Sequence, residues 1–231
     1  MTRAKTKPLL IFDFDGVLVD SEAIYIKVEI EFLGQLGVVV DRDWYVLNFM
    51  ALAQDEWRRR YGELVLRETG QPLSDAQFEE MKSQSRQLVL DGLKPVEGAP
   101  EMLEKLELER CVASSTRLFF LHRKLNQVGF ARFFGNGIYS GDMVEHGKPA
   151  PDLFLHAAKA MGREGETCIV VEDSANGVRG GKAAGFFVIG FTGGSHCGER
   201  HDDMLVDAGA DMILASHRDL TDWLNNEYPA G

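Results

Sequence analysis

The sequence predicts an α/β fold in which helices alternate with the strands of a parallel sheet, and an all-helical segment interrupts the chain after the first strand. Short apolar runs recur between stretches with helical spacing, and strands separated by helices of this length form parallel sheets. Residues 21–92 show helical spacing without a strand signal. The predicted strands are residues 9–12, 111–113, 137–139, 167–171 and 186–189, with a last strand and helix from about Asp211.

Residues 21–92 are predicted to be an inserted helical domain, with residues 1–20 and 93–231 forming the core domain. Ser21 is predicted to cap the first helix, which Gly37 ends. A second helix carries Trp57, Tyr61 and Leu64. A third opens on the capping-box pair Ser74 and Gln77, and its predicted apolar face consists of Phe78, Met81, Ser85 and Leu88.

Two carboxylates two positions apart follow the first predicted strand. Asp13 and Asp15 can face one small volume, because side chains two apart on an extended chain point to the same side. Ionised carboxylates there are costly unless a cation compensates them. Mg²⁺ prefers oxygen ligands and often bridges to substrate phosphate, and Gly16 allows a tight turn beside an anion. On these residues alone, a solvated turn is the alternative.

Other polar residues follow later strands of the same predicted sheet. Ser114, Ser115 and Thr116 follow the second strand, and Glu172 with Asp173 follow the strand of residues 167–171. Ligands of such sheets bind beyond the carboxyl ends of the strands. Lys148, just before a helix, can supply a cation there. Each residue alone has an ordinary structural explanation, but together they predict one site for a divalent cation and a phosphate.

Composition limits the partners of the protein. The net charge is −11 and the pI is near 5.0, which argues against nucleic acid or an anionic membrane as a partner. The basic start is followed by an apolar run too short for a signal peptide, and we expect a cytoplasmic protein without membrane spans. The expected partner is a small-molecule phosphate ester, and the chain is expected to be a monomer or a weak homo-oligomer.

Three cysteines, at positions 111, 168 and 197, show no CxxC spacing, so neither a disulfide framework nor a zinc site is indicated. His196, Cys197 and His201 lie together in a glycine-rich segment that lacks structural zinc spacing. We interpret their proximity as incidental.

Four blocks of the sequence resemble the haloacid dehalogenase-like hydrolases. They are Asp13–Glu22, Ser114, Gly147–Asp152, and Val171–Val178 followed by Ala183–Gly185. The resemblance is to the branch with a helical cap after the first strand, which includes phosphoglycolate phosphatases, sugar-phosphate phosphatases and β-phosphoglucomutases. It implies a Rossmann-like core with residues 21–92 as the cap, and a phosphoric monoester hydrolase.

The resemblance also implies roles for individual residues. Asp13 would be the nucleophile that forms an aspartyl-phosphate, and Asp15 the general acid and then base. Ser114 and the Ser115 N–H group would bind phosphoryl oxygens, and Lys148 would neutralise charge on the phosphate and on Asp13. The implied cofactor is Mg²⁺, held by Asp13, the Asp15 carbonyl and Asp173, with Glu172 reaching it through water.

Alternatives within and outside the family remain. Dehalogenases and phosphonoacetaldehyde hydrolases of the superfamily lack the second aspartate, so Asp15 argues against both. Sugar phosphomutases carry an Arg and Ser signature in the cap, which Asn48–Trp57 does not contain. We therefore predict a Mg²⁺-dependent phosphatase acting on a sugar or sugar-acid phosphate, or a phosphoglycolate-like ester. A mutase or a non-catalytic phosphate-sensing module is the alternative.

Overall fold

The computed structural model describes residues 7–49, 52, 54–163 and 167–229. Two compact units divide the chain: the described residues of 1–20 and 94–231 form one, and those of 21–93 form the other. We call them the sheet unit and the helical unit. The role of the helical unit as a cap stays a prediction.

The sheet unit contains a six-stranded parallel sheet of order β3-β2-β1-β4-β5-β6. Its strands are β1 Leu9–Phe12, β2 Arg110–Ser114, β3 Ile138–Ser140, β4 Cys168–Glu172, β5 Phe187–Phe191 and β6 Met212–Leu214. The predicted parallel α/β fold is confirmed. Every residue of β1 is buried, because β1 lies between β2 and β4 in the middle of the sheet.

Helices of the sheet unit connect successive strands, except the last helix, which follows β6. They are α5 Ala99–Lys105, α6 Leu118–Gln127, α7 Ala131–Phe134, α8 Asp152–Ala160, α9 Ala175–Ala183, α10 His201–Asp207 and α11 His217–Glu227. The helices α8 and α9 pack apolar side chains such as Phe154 and Val178 against Ile11 and Val170 of the sheet. No helix was predicted from the sequence at α10, whose two turns have only Leu205 as a fully buried apolar residue.

The helical unit contains α1 Glu22–Gln35, α2 Arg42–Phe49, α3 Gln54–Thr69 and α4 Asp75–Gly92. Ser21 precedes α1 but makes no side-chain cap bond, whereas Ser74 and Gln77 form the predicted capping box. On α4 the buried face continues through Val89, while Leu88 is 46% exposed. The predicted position of Leu88 is therefore wrong by one residue, because 3.6 residues per turn carry the stripe to position 89.

The short helix α2 was not predicted from the sequence. Its eight residues bury only Tyr45 and Phe49, which are four apart, so the apolar pattern covers a single turn. Of the stretch compared with the phosphomutase signature, residues 50, 51 and 53 lie outside the described residues.

Within the described residues, every helix is too short or too polar to cross a bilayer.

Candidate active site

The carboxyl ends of β1, β2 and β4 place three predicted site segments side by side. Because β1 pairs with both β2 and β4, Asp13 at the end of β1 lies between Ser114 at the end of β2 and Glu172 at the end of β4. The backbone N–H of Asp13 donates to the Val171 carbonyl at 2.9 Å. This extends the β1–β4 pairing by one residue and fixes where the Asp13 side chain begins.

Lys148 joins two of the predicted carboxylates. Its Nζ lies 2.5 Å from Asp13 Oδ1 and 2.7 Å from Glu172 Oε1, and the Lys148 side chain is only 4% exposed. Burial alone would lower the pKa of Lys148, but the charges of Asp13 and Glu172 outweigh it and raise that pKa. The ammonium group is therefore charged, and it compensates carboxylates that would otherwise be too costly to bury.

Glu172 and Asp173 are positioned by glycines that leave space for them. Glu172 Oε2 accepts hydrogen bonds from the backbone N–H and the hydroxyl of Ser174. A Cβ atom at Gly177 would stand 1.6 Å from Glu172 Oε1, and one at Gly16 would stand 1.8 Å from Asp173 Oδ2. No residue other than glycine fits at either position with both carboxylates in place.

The cluster of Asp13, Glu172 and Asp173 fits a hard divalent cation. Carboxylate oxygens of all three lie within 4.8 Å of one another, and all three residues are buried. Burial raises the pKa of Asp13 and of Asp173, and the repulsion from neighbouring carboxylates, chiefly Glu172, adds to it. An oxygen-only set of clustered carboxylates is what Mg²⁺ binds in proteins, and a cation among them would favour the ionised forms.

The Asp15 side chain contacts a second set of residues. Lys124 Nζ lies 2.5 Å from Asp15 Oδ1, Thr116 Oγ1 donates to Asp15 Oδ2 at 2.6 Å, and Ser114 Oγ lies 3.5 Å from the same oxygen. Ser114 is buried and also accepts from the Thr116 N–H. Ser115 is exposed, so its predicted contact through the backbone N–H stays a prediction.

Lys124 is a site residue that the sequence analysis missed. It is 4% exposed on the same face of α6 as Leu121 and Leu125, so it occupies a position that helical spacing assigns to the core. A lysine inside an apolar stripe was the available signal, because lysine is almost never fully buried without a partner.

His196, Cys197 and His201 do lie together, and the two histidines contact Asp173. His196 Nε2 is 3.0 Å from Asp173 Oδ2, and His201 Nε2 is 2.6 Å from the Asp173 backbone oxygen. Cys197 Sγ lies 3.5 Å from His196 Nε2. One ligand atom of each of the three residues lies within 4.8 Å of the others. The two histidines therefore contact a predicted metal ligand, and the interpretation that the three residues form no metal site of their own stays a prediction.

Comparisons with known proteins agree with this geometry. A family model described as haloacid dehalogenase-like hydrolase matches residues 8–185. The 6-phosphogluconate phosphatase of Escherichia coli (strain K12) is 29% identical over 198 residues, covering 85% of this chain and 86% of that protein.

Solved structures extend the likeness over both units of the chain. A conserved haloacid dehalogenase-like protein from Agrobacterium tumefaciens str. C58 matches with a TM-score of 0.88 and 34% identity, covering 96% of this chain and 99% of the other. A HAD family hydrolase from Deinococcus radiodurans R1, solved with bound phosphate and sodium, matches with a TM-score of 0.81 and 28% identity over 96% of each chain.

These findings confirm the predicted family and the prediction of a hydrolase. The phosphatase name of the E. coli relative agrees with the prediction of a phosphoric monoester hydrolase. The family match includes β1, β2 and β4, whose ends carry the clustered carboxylates and Ser114. The chain belongs to the haloacid dehalogenase-like hydrolases.

Proposed function

We propose that the protein is a Mg²⁺-dependent phosphatase that hydrolyses a small sugar or sugar-acid phosphate through an aspartyl-phosphate. The observation that carries this proposal is the contact of Lys148 with both Asp13 and Glu172 inside a buried group of carboxylates. A carboxylate beside a fixed cation and a metal-binding set can meet a phosphate dianion without prohibitive repulsion.

Asp13 is the proposed nucleophile. Lys148 holds Asp13 Oδ1, and we assign the attack to Oδ2. Attack forms an oxygen–phosphorus bond to Asp13 while the bond from phosphorus to the leaving alcohol breaks. Covalent catalysis of this kind divides one difficult displacement into two easier ones.

Asp15 is the proposed general acid and base. It gives its proton to the leaving alcohol in the first displacement, and it takes a proton from the attacking water in the second. Inorganic phosphate is then released and the Asp13 carboxylate is restored. Thr116 and Lys124 each hold one oxygen of Asp15, so the carboxyl group has a defined orientation. Positioned proton transfer of this kind contributes about 10²–10⁴-fold to a rate.

The residues that would hold Mg²⁺ are Asp13, Asp173 and the Asp15 backbone carbonyl, with Glu172 reaching the ion through water. The ion would offset charge repulsion between the carboxylate nucleophile and the phosphate. Ser114, buried at the end of β2, is the proposed ligand of a phosphoryl oxygen, with help from the Ser115 N–H group. The substrate class rests on the similarity to the 6-phosphogluconate phosphatase, whose name gives a sugar-acid phosphate.

The test is phosphate release from an aryl phosphate and from a panel of sugar and sugar-acid phosphates. Asp13→Asn is expected to lose at least about 10³-fold in kcat while keeping its circular dichroism spectrum, because an amide is a poor nucleophile. Chelation by EDTA is expected to abolish turnover, and added Mg²⁺ to restore it. The matched control is Asp222→Asn, which alters an exposed aspartate of α11 and should leave the rate unchanged.

Product analysis separates the alternatives. A phosphomutase would give an isomerised sugar phosphate with little free phosphate, and a phosphate-sensing module would show no Mg²⁺-dependent turnover on any member of the panel. Turnover retained by Asp13→Asn would remove the proposed nucleophile.

A further inference from the structure

The side chain of His196 makes a buried contact with Asp173. His196 is 1% exposed and the Asp173 side chain is 6% exposed, with Nε2 to Oδ2 at 3.0 Å. When Asp173 is ionised its carboxylate can only accept a hydrogen bond, so Nε2 of His196 is then the donor. The contact engages Oδ2 and restricts the rotation of the carboxyl group about its own axis.

Two glycines make room for this pair. A Cβ at Gly194 would stand 2.6 Å from His196 Cε1 and 2.7 Å from the Gly16 carbonyl oxygen. A Cβ at Gly16 would stand 2.9 Å from His196 Cε1, in addition to its clash with Asp173. The imidazole ring is thus enclosed between two backbone segments that have no side chains at the point of contact.

The segment carrying His196 is tied to the same edge of the sheet from both of its ends. The backbone N–H of Ser195 donates to Asp20 Oδ1 at 3.2 Å, and Asp20 belongs to the chain that follows β1. At the other end, His201 Nε2 is 2.6 Å from the Asp173 carbonyl oxygen, which can only accept. Asp173 is therefore held through its backbone by His201 and through its side chain by His196.

We infer that His196 is a positioning residue that orients Asp173 for binding a divalent cation. This inference rests on the proposed function, which assigns Asp173 as a metal ligand. Residues that hydrogen-bond metal ligands typically change metal affinity by about 10–100-fold when they are removed. Without the His196 contact, the cation would itself have to order the Asp173 side chain. The conformational entropy lost in that ordering would weaken cation binding.

The test compares Mg²⁺ binding by the full-length protein and by two amide variants, using isothermal titration calorimetry without substrate. His196→Gln places an amide nitrogen as many bonds from Cα as Nε2, so it can still donate to Asp173. His196→Asn places its amide nitrogen one bond closer to Cα than Nε2 is. We expect the dissociation constant of Mg²⁺ to rise about 10–100-fold in His196→Asn and to stay within about threefold of wild type in His196→Gln.

Controls separate this effect from loss of folding and from loss of function. His122→Gln alters an exposed histidine of α6 and should bind Mg²⁺ as wild type does. Circular dichroism shows whether each variant is folded. His196→Gln serves as the conservative rescue, since a purely steric defect would affect both amides.

The outcomes are distinguishable because the calorimetry needs no turnover. Wild-type protein that binds Mg²⁺ but hydrolyses no phosphate ester would refute the proposed function and leave the role of His196 standing. Equal Mg²⁺ affinity of His196→Asn and wild type would overturn the inference, as would a wild type that binds no Mg²⁺. Zn²⁺ binding that is lost in both His196→Asn and Cys197→Ser, with Mg²⁺ binding unchanged, would overturn it and assign the three residues to a soft metal instead.

Discussion

A buried polar network in the helical unit gives a quantitative prediction about stability. Tyr45 donates to Glu29 Oε2 at 2.7 Å, Trp57 Nε1 donates to the Tyr45 hydroxyl at 3.2 Å, and the Tyr61 hydroxyl donates to the Glu29 backbone oxygen at 2.8 Å. Burial raises the pKa of Glu29 from 4.5 to about 8, against the opposing effect of the Tyr45 hydrogen bond. The folded protein therefore keeps a proton on Glu29 at neutral pH.

The perturbation is Glu29→Gln, which replaces the carboxyl group by an amide that cannot ionise. Below pH 4.5 both the folded and the unfolded wild type carry the proton, so ionisation contributes no difference. As the pH rises from 4.5 to about 8, the unfolded chain releases the proton while the folded chain retains it, so the wild type loses stability. Above about pH 8 the penalty is constant.

The magnitude follows from about 1.4 kcal/mol for each pH unit, which gives about 3 kcal/mol at pH 7. Glu29 keeps part of its surface in water, and screening there reduces the expected effect to about 1–2 kcal/mol. We therefore expect Glu29→Gln to gain about 1–2 kcal/mol over wild type in the free energy of unfolding at pH 7–8, and almost nothing at pH 4.5.

The assay is urea denaturation at pH 4.5, 6, 7 and 8, followed by tryptophan fluorescence and circular dichroism. The matched control is Glu31→Gln, which removes a carboxylate from an exposed position of the same helix and should change stability by less than about 0.5 kcal/mol. A difference between Glu29→Gln and wild type that does not grow between pH 4.5 and pH 8 would refute the reasoning.

Two predictions concern the site. Lys124→Met removes the ammonium group that holds Asp15 Oδ1. We expect kcat for an aryl phosphate to fall about 10²-fold, because misplacing a catalytic group costs about that much. An unchanged kcat would exclude this role of Lys124. Gly177→Ala forces a Cβ into Glu172, so we expect a stability loss of about 1–3 kcal/mol in urea denaturation. By contrast, the Cβ added by Gly62→Ala on α3 lies in open space, so this variant should gain up to about 1 kcal/mol in the free energy of unfolding.

Side chains at strand ends were predictable from the sequence because topology determines where they meet. Once β1, β2 and β4 are recognised as parallel strands, Asp13, Ser114 and Glu172 must emerge at one edge of the sheet. The position of Lys148 against Asp13 and Glu172 agrees with the same reasoning, although Lys148 comes from a loop.

Contacts made by helices and loops were harder to predict. Lys124 reaches Asp15 only because α6 turns that face inward, and periodicity alone assigns the position to an apolar residue. His196 reaches Asp173 through the space left at Gly16 and Gly194. A close approach between two glycines leaves no periodic pattern in a sequence, so the contact is apparent only in three dimensions.

The charges at the site favour cation binding before the phosphate arrives. Four carboxylates and two ammonium groups lie at the edge of the sheet and leave a formal charge of −2 when all are ionised: Asp13, Asp15, Glu172, Asp173, Lys124 and Lys148. Each lysine already contacts a carboxylate, so neither ammonium group is available to attract an anion at full strength. One divalent cation among the clustered carboxylates would bring the formal charge to zero, and only then does a phosphate dianion meet a site that does not repel it.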